Sequence, residues 1–215
     1  MRRTILFGDI HGCHREWETL LDKLAVSSSD RLIALGDLVC KGPSTARTLG
    51  LAMGLTNLTC LVGNHEQRLL DAWRGGHRGE AKQCERAVKR QLGERYEAFM
   101  NYVASWPYYL QFPGLIAVHG GLRPGTPLQK QSPRDLIELR RLSPDGPPWY
   151  EQYHGPKLAV FGHWVRRDPL LRKNAVGLDT GCVYGGRLSA YVWPEGRVVS
   201  VPARKAYQRK KGNWE

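Results

Sequence analysis

The sequence predicts an α/β protein: a mixed two-sheet αββα-type sandwich with a helical insertion. Three observations carry that expectation. Apolar runs of four or five residues, the length of buried strands, recur along the chain. In the first half they alternate with segments of helical period. In the second half strand follows strand.

Thr4–Phe7 is the first strand, and Trp17, Leu20, Leu21 and Leu24 then fall on one face of a helix. Residues 32–35 form the second strand. Pro43, favoured in a first helical turn, opens a helix continued by Ala46, Leu49 and Met53. The third strand, 58–62, sets Cys60 toward the core and leads to a helix bearing Leu69, Leu70 and Trp73. Such alternation implies a parallel sheet. Gly75-Gly76-His77-Arg78-Gly79 interrupts it. Two helices follow, a polar one over 80–92 and one carrying Tyr96, Phe99, Met100 and Val103, so that 75–105 reads as a cap over one side of the site. The remaining strands are 108–112, 115–118, 158–161, 175–178, 188–192 and 198–201. Residues 143–148 read as a surface loop and Pro194-Glu195-Gly196 as a hairpin turn. The expected organisation is one domain over 1–202 and a basic tail over 203–215. The tail's Arg204, Lys205, Arg209, Lys210 and Lys211 read first as a solvated, frayed terminus.

With 215 residues and 41% hydrophobic content the chain has the material for one substantial core. The apolar run after Met1-Arg2-Arg3 is too short for a signal peptide, and no run approaches a membrane span. The expectation is a cytoplasmic protein without membrane contact. Five cysteines, an odd number without a C-x-x-C pair, argue against a disulfide framework or structural zinc. A net charge of +12 favours polyanionic partners: nucleotides, polyphosphate, RNA or phosphoproteins, with nucleic acid reached through the basic tail.

Function is written at the strand ends. Five of the apolar runs finish in a short polar cassette: Gly8-Asp9-Ile10-His11-Gly12, Gly36-Asp37, Gly63-Asn64-His65-Glu66, His119-Gly120-Gly121 and Gly162-His163. Carboxylate, amide oxygen and imidazole are ligands that Mn, Fe and Zn accept. The carboxyl ends of strands are where open α/β sheets hold their ligands. Two divalent ions that clamp a phosphoryl group need one shared ligand and separate ones for each ion. Asp37 is the natural bridge, with Asp9 and His11 for one metal and Asn64, His119 and His163 for the other. Asp9 and His11, two residues apart, are expected on one side of an extended strand end. His65, beside Asn64, can protonate a leaving oxygen. Lys41 and the Arg140-Arg141 pair can neutralise phosphoryl oxygens. His14, His77 and His154 receive no role.

These motifs, ordered from Thr4 to about Val192, resemble the calcineurin-like metallophosphoesterases of the phosphoprotein phosphatase superfamily. The resemblance implies a dinuclear centre, Mn²⁺ foremost with Fe or Zn as alternatives. It also implies in-line attack by metal-bound hydroxide without a covalent intermediate. Asp9, His11, Asp37, Asn64, His119 and His163 match that family's ligand positions, and His65 its general acid. Protein Ser/Thr phosphatases read G-D-x-V-D-R-G where this chain has Gly36-Asp37-Leu38-Val39-Cys40-Lys41-Gly42-Pro43. The Lys version, with Phe161-Gly162-His163-Trp164 and the run from Leu178 to Gly186, is similar to the ApaH and ApaH-like group, the symmetrical diadenosine tetraphosphatases. That places Asp179 near the site. The expected activity is hydrolysis of phosphoanhydride bonds in dinucleoside polyphosphate, polyphosphate or a nucleotide or RNA end. A phosphoprotein Ser/Thr phosphatase is the alternative, and a non-catalytic RNA- or polyphosphate-binding protein the distant one. Oligomeric state is not encoded in any of these motifs.

Overall fold

Two five-stranded sheets pack face to face. The computed structural model describes residues 2–76, 79–210, 212 and 214, so His77, Arg78 and Lys211, named above, lie outside the described residues. The strands are β1 (Thr4–Phe7), β2 (Arg31–Ala34), β3 (Leu58–Cys60), β4 (Tyr109–Phe112), β5 (Leu115–Val118), β6 (Leu158–Phe161), β7 (Leu170–Leu171), β8 (Ala175–Gly177), β9 (Arg187–Trp193) and β10 (Arg197–Pro202). The helices are α1 (His14–Lys23), α2 (Thr45–Gly54), α3 (Asn64–Trp73), α4 (Glu80–Leu92), α5 (Tyr96–Ala104) and α6 (Pro133–Glu138). The strand orders are β10-β9-β1-β2-β3 and β4-β5-β6-β8-β7. The expected mixed two-sheet architecture is the observed one. Sequence reading passed over the two-residue β7 and the single-turn-scale α6.

The period of two along each strand explains the layering. Leu6, Ile33, Leu35, Leu115, Ala117 and Val160 meet between the sheets. Their neighbours Ile5, Phe7, Leu32 and Ala34 face α1, α2, α3 and α5. Ile116, Val118, Ala159 and Phe161 face Trp149 and Tyr150 on the far side. Both faces of these strands are covered, so they read as continuous apolar runs instead of alternating ones. Strands β1, β2 and β3 run parallel, as do β5, β6 and β8. Each sheet therefore sends three carboxyl ends toward the same edge, and the site is built there.

Two local expectations are corrected. The second helix begins at Thr45, not at Pro43, because Ser44 caps it by accepting the Arg47 N–H at 3.3 Å. A disulfide is present: Cys40, beside the site, is bonded to Cys84 on α4, with Cα atoms 5.6 Å apart, while Cys13, Cys60 and Cys182 are free and buried. Counting could not find it, because its halves are 44 residues apart and belong to different elements. Titration of the denatured, unreduced chain should give three thiols, and five would show the pair open. Cys84→Ser should cost about 2–4 kcal/mol in denaturant unfolding without reductant, since the bond restricts a long loop in the unfolded chain.

The segment after β10 is tied to the body. Glu16, buried on α1, accepts from the Arg204 N–H at 2.9 Å and the Tyr207 hydroxyl at 2.7 Å, and the Tyr207 and Gln208 N–H groups donate to the Val183 carbonyl. Among the described residues no helix is long and apolar enough to cross a membrane.

Candidate metal centre

Six strand-end loops converge. Those after β1, β2 and β3 bring Asp9, Asp37 and Asn64; those after β5, β6 and β8 bring His119, His163 and Asp179. All but the half-buried His163 are buried. Three of the candidate ligands sit in left-handed backbone conformation: His11 (φ 45°), Asp37 (φ 52°) and His163 (φ 64°). Non-glycine residues rarely hold such angles unless the surroundings impose them, and such residues cluster at functional sites. The imposing force here is close packing of backbone. A Cβ on Gly36 (φ 101°) would come within 2.7 Å of the Gly63 nitrogen and 2.9 Å of His119 Nδ1.

Asp37 stands in the middle. Its Oδ2 lies 3.4 Å from His11 Nε2 and its Oδ1 3.5 Å from His119 Nε2. His11 Nδ1 donates to the Val39 carbonyl and His119 Nδ1 to the Leu35 carbonyl, both at 2.9 Å. Those bonds fix each ring so that Nε2 presents its lone pair to the site. Asn64 Oδ1 lies 3.1 Å from His119 Nε2 and 2.9 Å from His163 Nδ1. Asp9 Oδ1 accepts the His163 N–H at 3.0 Å. Among the described residues, two groups of ligand atoms at this edge each lie within 4.8 Å of one another: His11, Asp37 and His65, and Asp9, Asp37 and His119. Asp37 is common to both. Asp9 and His11 fall in different groups, each with Asp37. The reason is local: β1 ends at Phe7, and the chain turns through His11, so the two-residue strand alternation does not apply.

The electrostatics fit cations. Burial, then the Asp179 and Asp37 carboxylates, push Asp9 well above its usual range, and burial pushes Asp179 up to about 6. Burial opposes the charge of Asp37 too, but His119, His65, His11 and Lys41 hold it below the usual range. Burial lowers the pKa of His11, His119 and His163, which keeps the imidazoles neutral, the form that binds metal. Buried carboxylates in such excess over buried cations, beside neutral imidazoles, are a donor set short of positive charge.

Around this centre lies an open cleft of about 460 Å³ lined by Lys41, His65, Arg68, Arg140, Asp179 and Tyr184 among others. Lys41 Nζ lies 3.0 Å from His11 Nε2 and 5.5 Å from the Tyr184 ring centre; burial opposes its charge, while Asp37 and Tyr184 sustain it. His65 stands edge-on to His11, with ring centres 4.8 Å apart, and burial lowers its pKa to about 4. Its backbone N–H donates to Asp37 Oδ1 at 2.9 Å. Arg140 lines the cleft and donates to the His163 carbonyl at 3.0 Å. Arg141 does not reach it. Its guanidinium donates to the Gly146 carbonyl and lies 5.5 Å from the Trp164 ring, and the pair sits in a loop past α6, not on a helix.

Glu66, to which sequence reading assigns no role, ties the site together. Fully buried, it accepts four backbone N–H bonds: Asp37 and Gly63 on Oε2, Leu38 and Val39 on Oε1, at 2.7–3.1 Å. It thus joins the loops of Asp37 and Asn64. Burial and the facing Asp37 carboxylate push it up to about 8 against those N–H groups. The signal was in the sequence: a Glu three residues into a helix commonly reaches back to the cap N–H, here that of Gly63.

A helix-flanked double sheet with carboxylates, imidazoles and an amide at one edge defines a metallophosphoesterase. The family model for calcineurin-like phosphoesterase matches residues 2–176, and the chain belongs to that family. Among curated relatives it is 30% identical to bis(5'-nucleosyl)-tetraphosphatase PrpE [asymmetrical] of Anoxybacillus flavithermus, over 96% of each chain. It is 27% identical to bis(5'-nucleosyl)-tetraphosphatase, symmetrical, of Erwinia tasmaniensis, over 95% of this chain and 99% of the other. A crystal structure of a proposed diadenosine tetraphosphatase superposes with a TM-score of 0.82 at 32% identity, covering 94% of this chain and 93% of the other. The chain is therefore a hydrolase of the metallophosphoesterase class.

Proposed function

We propose that the protein hydrolyses a phosphoanhydride bond of dinucleoside polyphosphates at a dinuclear centre, with Mn²⁺ as the foremost metal. The observation that carries this reading is Asp37, one carboxylate with an oxygen toward each of two imidazoles, at the floor of a cleft flanked by Lys41, Arg68 and Arg140. His11, Asp9, Asn64, His119 and His163 would complete the two ligand sets. Bound there, the cations supply Lewis-acid charge and lower the pKa of water. Lys41 and Arg140 neutralise the non-bridging oxygens as the phosphoryl group is transferred. His65, in the cleft beside the ligand cluster, hands a proton to the departing oxygen once the substrate's negative charge beside it has raised its pKa from about 4. Glu66 keeps the Asp37 and Asn64 loops in register. The relatives named as tetraphosphatases support the substrate class.

A panel of diadenosine tetraphosphate, polyphosphate, capped RNA and a phosphopeptide, with Mn²⁺ and chromatographic products, tests it. Nucleotide products are expected. Phosphate released from the phosphopeptide with diadenosine tetraphosphate intact would favour a protein phosphatase instead. Lys41→Ala should lower kcat/KM about tenfold or more on all phosphoryl substrates, the size of one charge-assisted contact. Unchanged kinetics would remove Lys41 from the chemistry.

A further inference from the structure

A second cleft, of about 440 Å³, opens between α3 and α4. It shares Lys41, His65 and Arg68 with the cleft over the candidate metal centre, so the two form one trough with His65 at the junction. Its far wall is one face of α4: Gln83, Cys84, Ala87 and Arg90 recur at helical spacing. The Cys40–Cys84 disulfide fastens that wall to the loop carrying Lys41. Three cations, Lys41, Arg68 and Arg90, line the cleft and no carboxylate does among the described residues; Arg68 also reaches Glu138 Oε1, in the adjoining cleft, at 3.4 Å. Ala87 and the disulfide supply an apolar surface backed by the buried Leu69, and the Gln83 and Gln208 amides supply hydrogen-bonding groups.

We infer that the α3–α4 cleft binds the departing nucleotide of the substrate, with Arg90 and Arg68 on its phosphates and its base on the surface formed by Ala87 and the Cys40–Cys84 disulfide. This rests on the phosphoanhydride-hydrolase reading. The chemistry follows from position. The group that protonates a leaving oxygen must stand between the phosphorus under attack and the part that leaves. His65 has the candidate metal centre on one side and this cleft on the other. A phosphate chain bridging two nucleosides has the charge for both cationic stretches, and a base has the flat apolar face for the wall between them. Arg90 and Ala87 would then determine specificity without touching the reacting atoms.

Calorimetric titration of the full chain in Mn²⁺ buffer with ADP, and separately with inorganic phosphate, tests the cleft. Ala87→Trp fills it, and Arg90→Ala, at an exposed position, removes its charge with little demand on folding. Both should weaken ADP by about tenfold or more and leave phosphate, which needs only the metal-side cleft, unchanged. ADP affinity equal to that of the parent chain, or no ADP binding by the parent, overturns the inference. So does equal weakening of ADP and phosphate, which would make the residues structural. Turnover of diadenosine tetraphosphate by the same samples separates the two readings. No turnover with variant-sensitive ADP binding defeats the hydrolase reading alone; normal turnover with ADP binding indifferent to the variants defeats the cleft alone.

Discussion

Asp37→Asn should reduce hydrolysis of every phosphoryl substrate by about a thousandfold or more, because Lewis-acid stabilisation by paired cations is worth several kcal/mol. The substitution is nearly isosteric. It exchanges one carboxylate oxygen for an amide nitrogen that cannot donate a lone pair to a cation, at the residue common to both ligand groups. Lys41, Arg140 and the wider basic surface are untouched, so polyanion binding should survive. That split is the diagnostic: kcat collapses while affinity for a non-hydrolysed polyanion stays near that of the parent. Activity retained in Asp37→Asn with metal present would contradict the assigned chemistry. Loss of binding and activity together, with a lowered unfolding midpoint, would mean that the loop itself had moved.

Compared above pH 8, where Glu66 is ionised, Glu66→Gln should be the most damaging conservative change to stability. Each carboxylate oxygen accepts two buried N–H bonds. An amide has one acceptor, so whichever way it turns, its NH₂ faces two backbone donors. Leaving two buried N–H groups unsatisfied costs about 2–6 kcal/mol at the usual 1–3 kcal/mol each, a large share of a domain's total stability. Glu66→Ala exposes all four donors and should cost more, unless water enters the gap. Denaturant unfolding of the two variants checks the ordering. A Glu66→Gln midpoint equal to that of the parent chain would show that the carboxylate's four bonds are replaceable.

The fold was readable because burial on both faces writes strands as apolar runs, and helices between parallel strands write their own period. Thr4–Phe7, Leu115–Val118 and Leu158–Phe161 fall where the runs do. The gathering of Asp9, Asp37, Asn64, His119 and His163 was readable for a related reason: a parallel strand can only deliver its next residue at its carboxyl end. What stayed hidden depends on contacts between distant loops. Arg140 and Arg141 are adjacent in sequence, yet one lines the cleft and the other is drawn off by Trp164 and the Gly146 carbonyl. Cys40 meets Cys84 only because α4 folds back over the Lys41 loop. The basic run at the end reads as solvated, but charge count says nothing of Tyr207, whose hydroxyl finds buried Glu16. The site's conformation was equally invisible, since left-handed backbone at His11 and His163 is imposed by packing and not by the residue type.

The central claim is phosphoanhydride hydrolysis at a paired-cation site bridged by Asp37. Its most direct test is titration of chelator-stripped protein with Mn²⁺ while cleavage of diadenosine tetraphosphate and bound metal are measured together. The account predicts no cleavage by the stripped chain, nucleotide products that rise to saturation at two cations per chain, and neither the second cation nor turnover in Asp37→Asn. Cleavage by the stripped chain, or full activity at one cation, would contradict it.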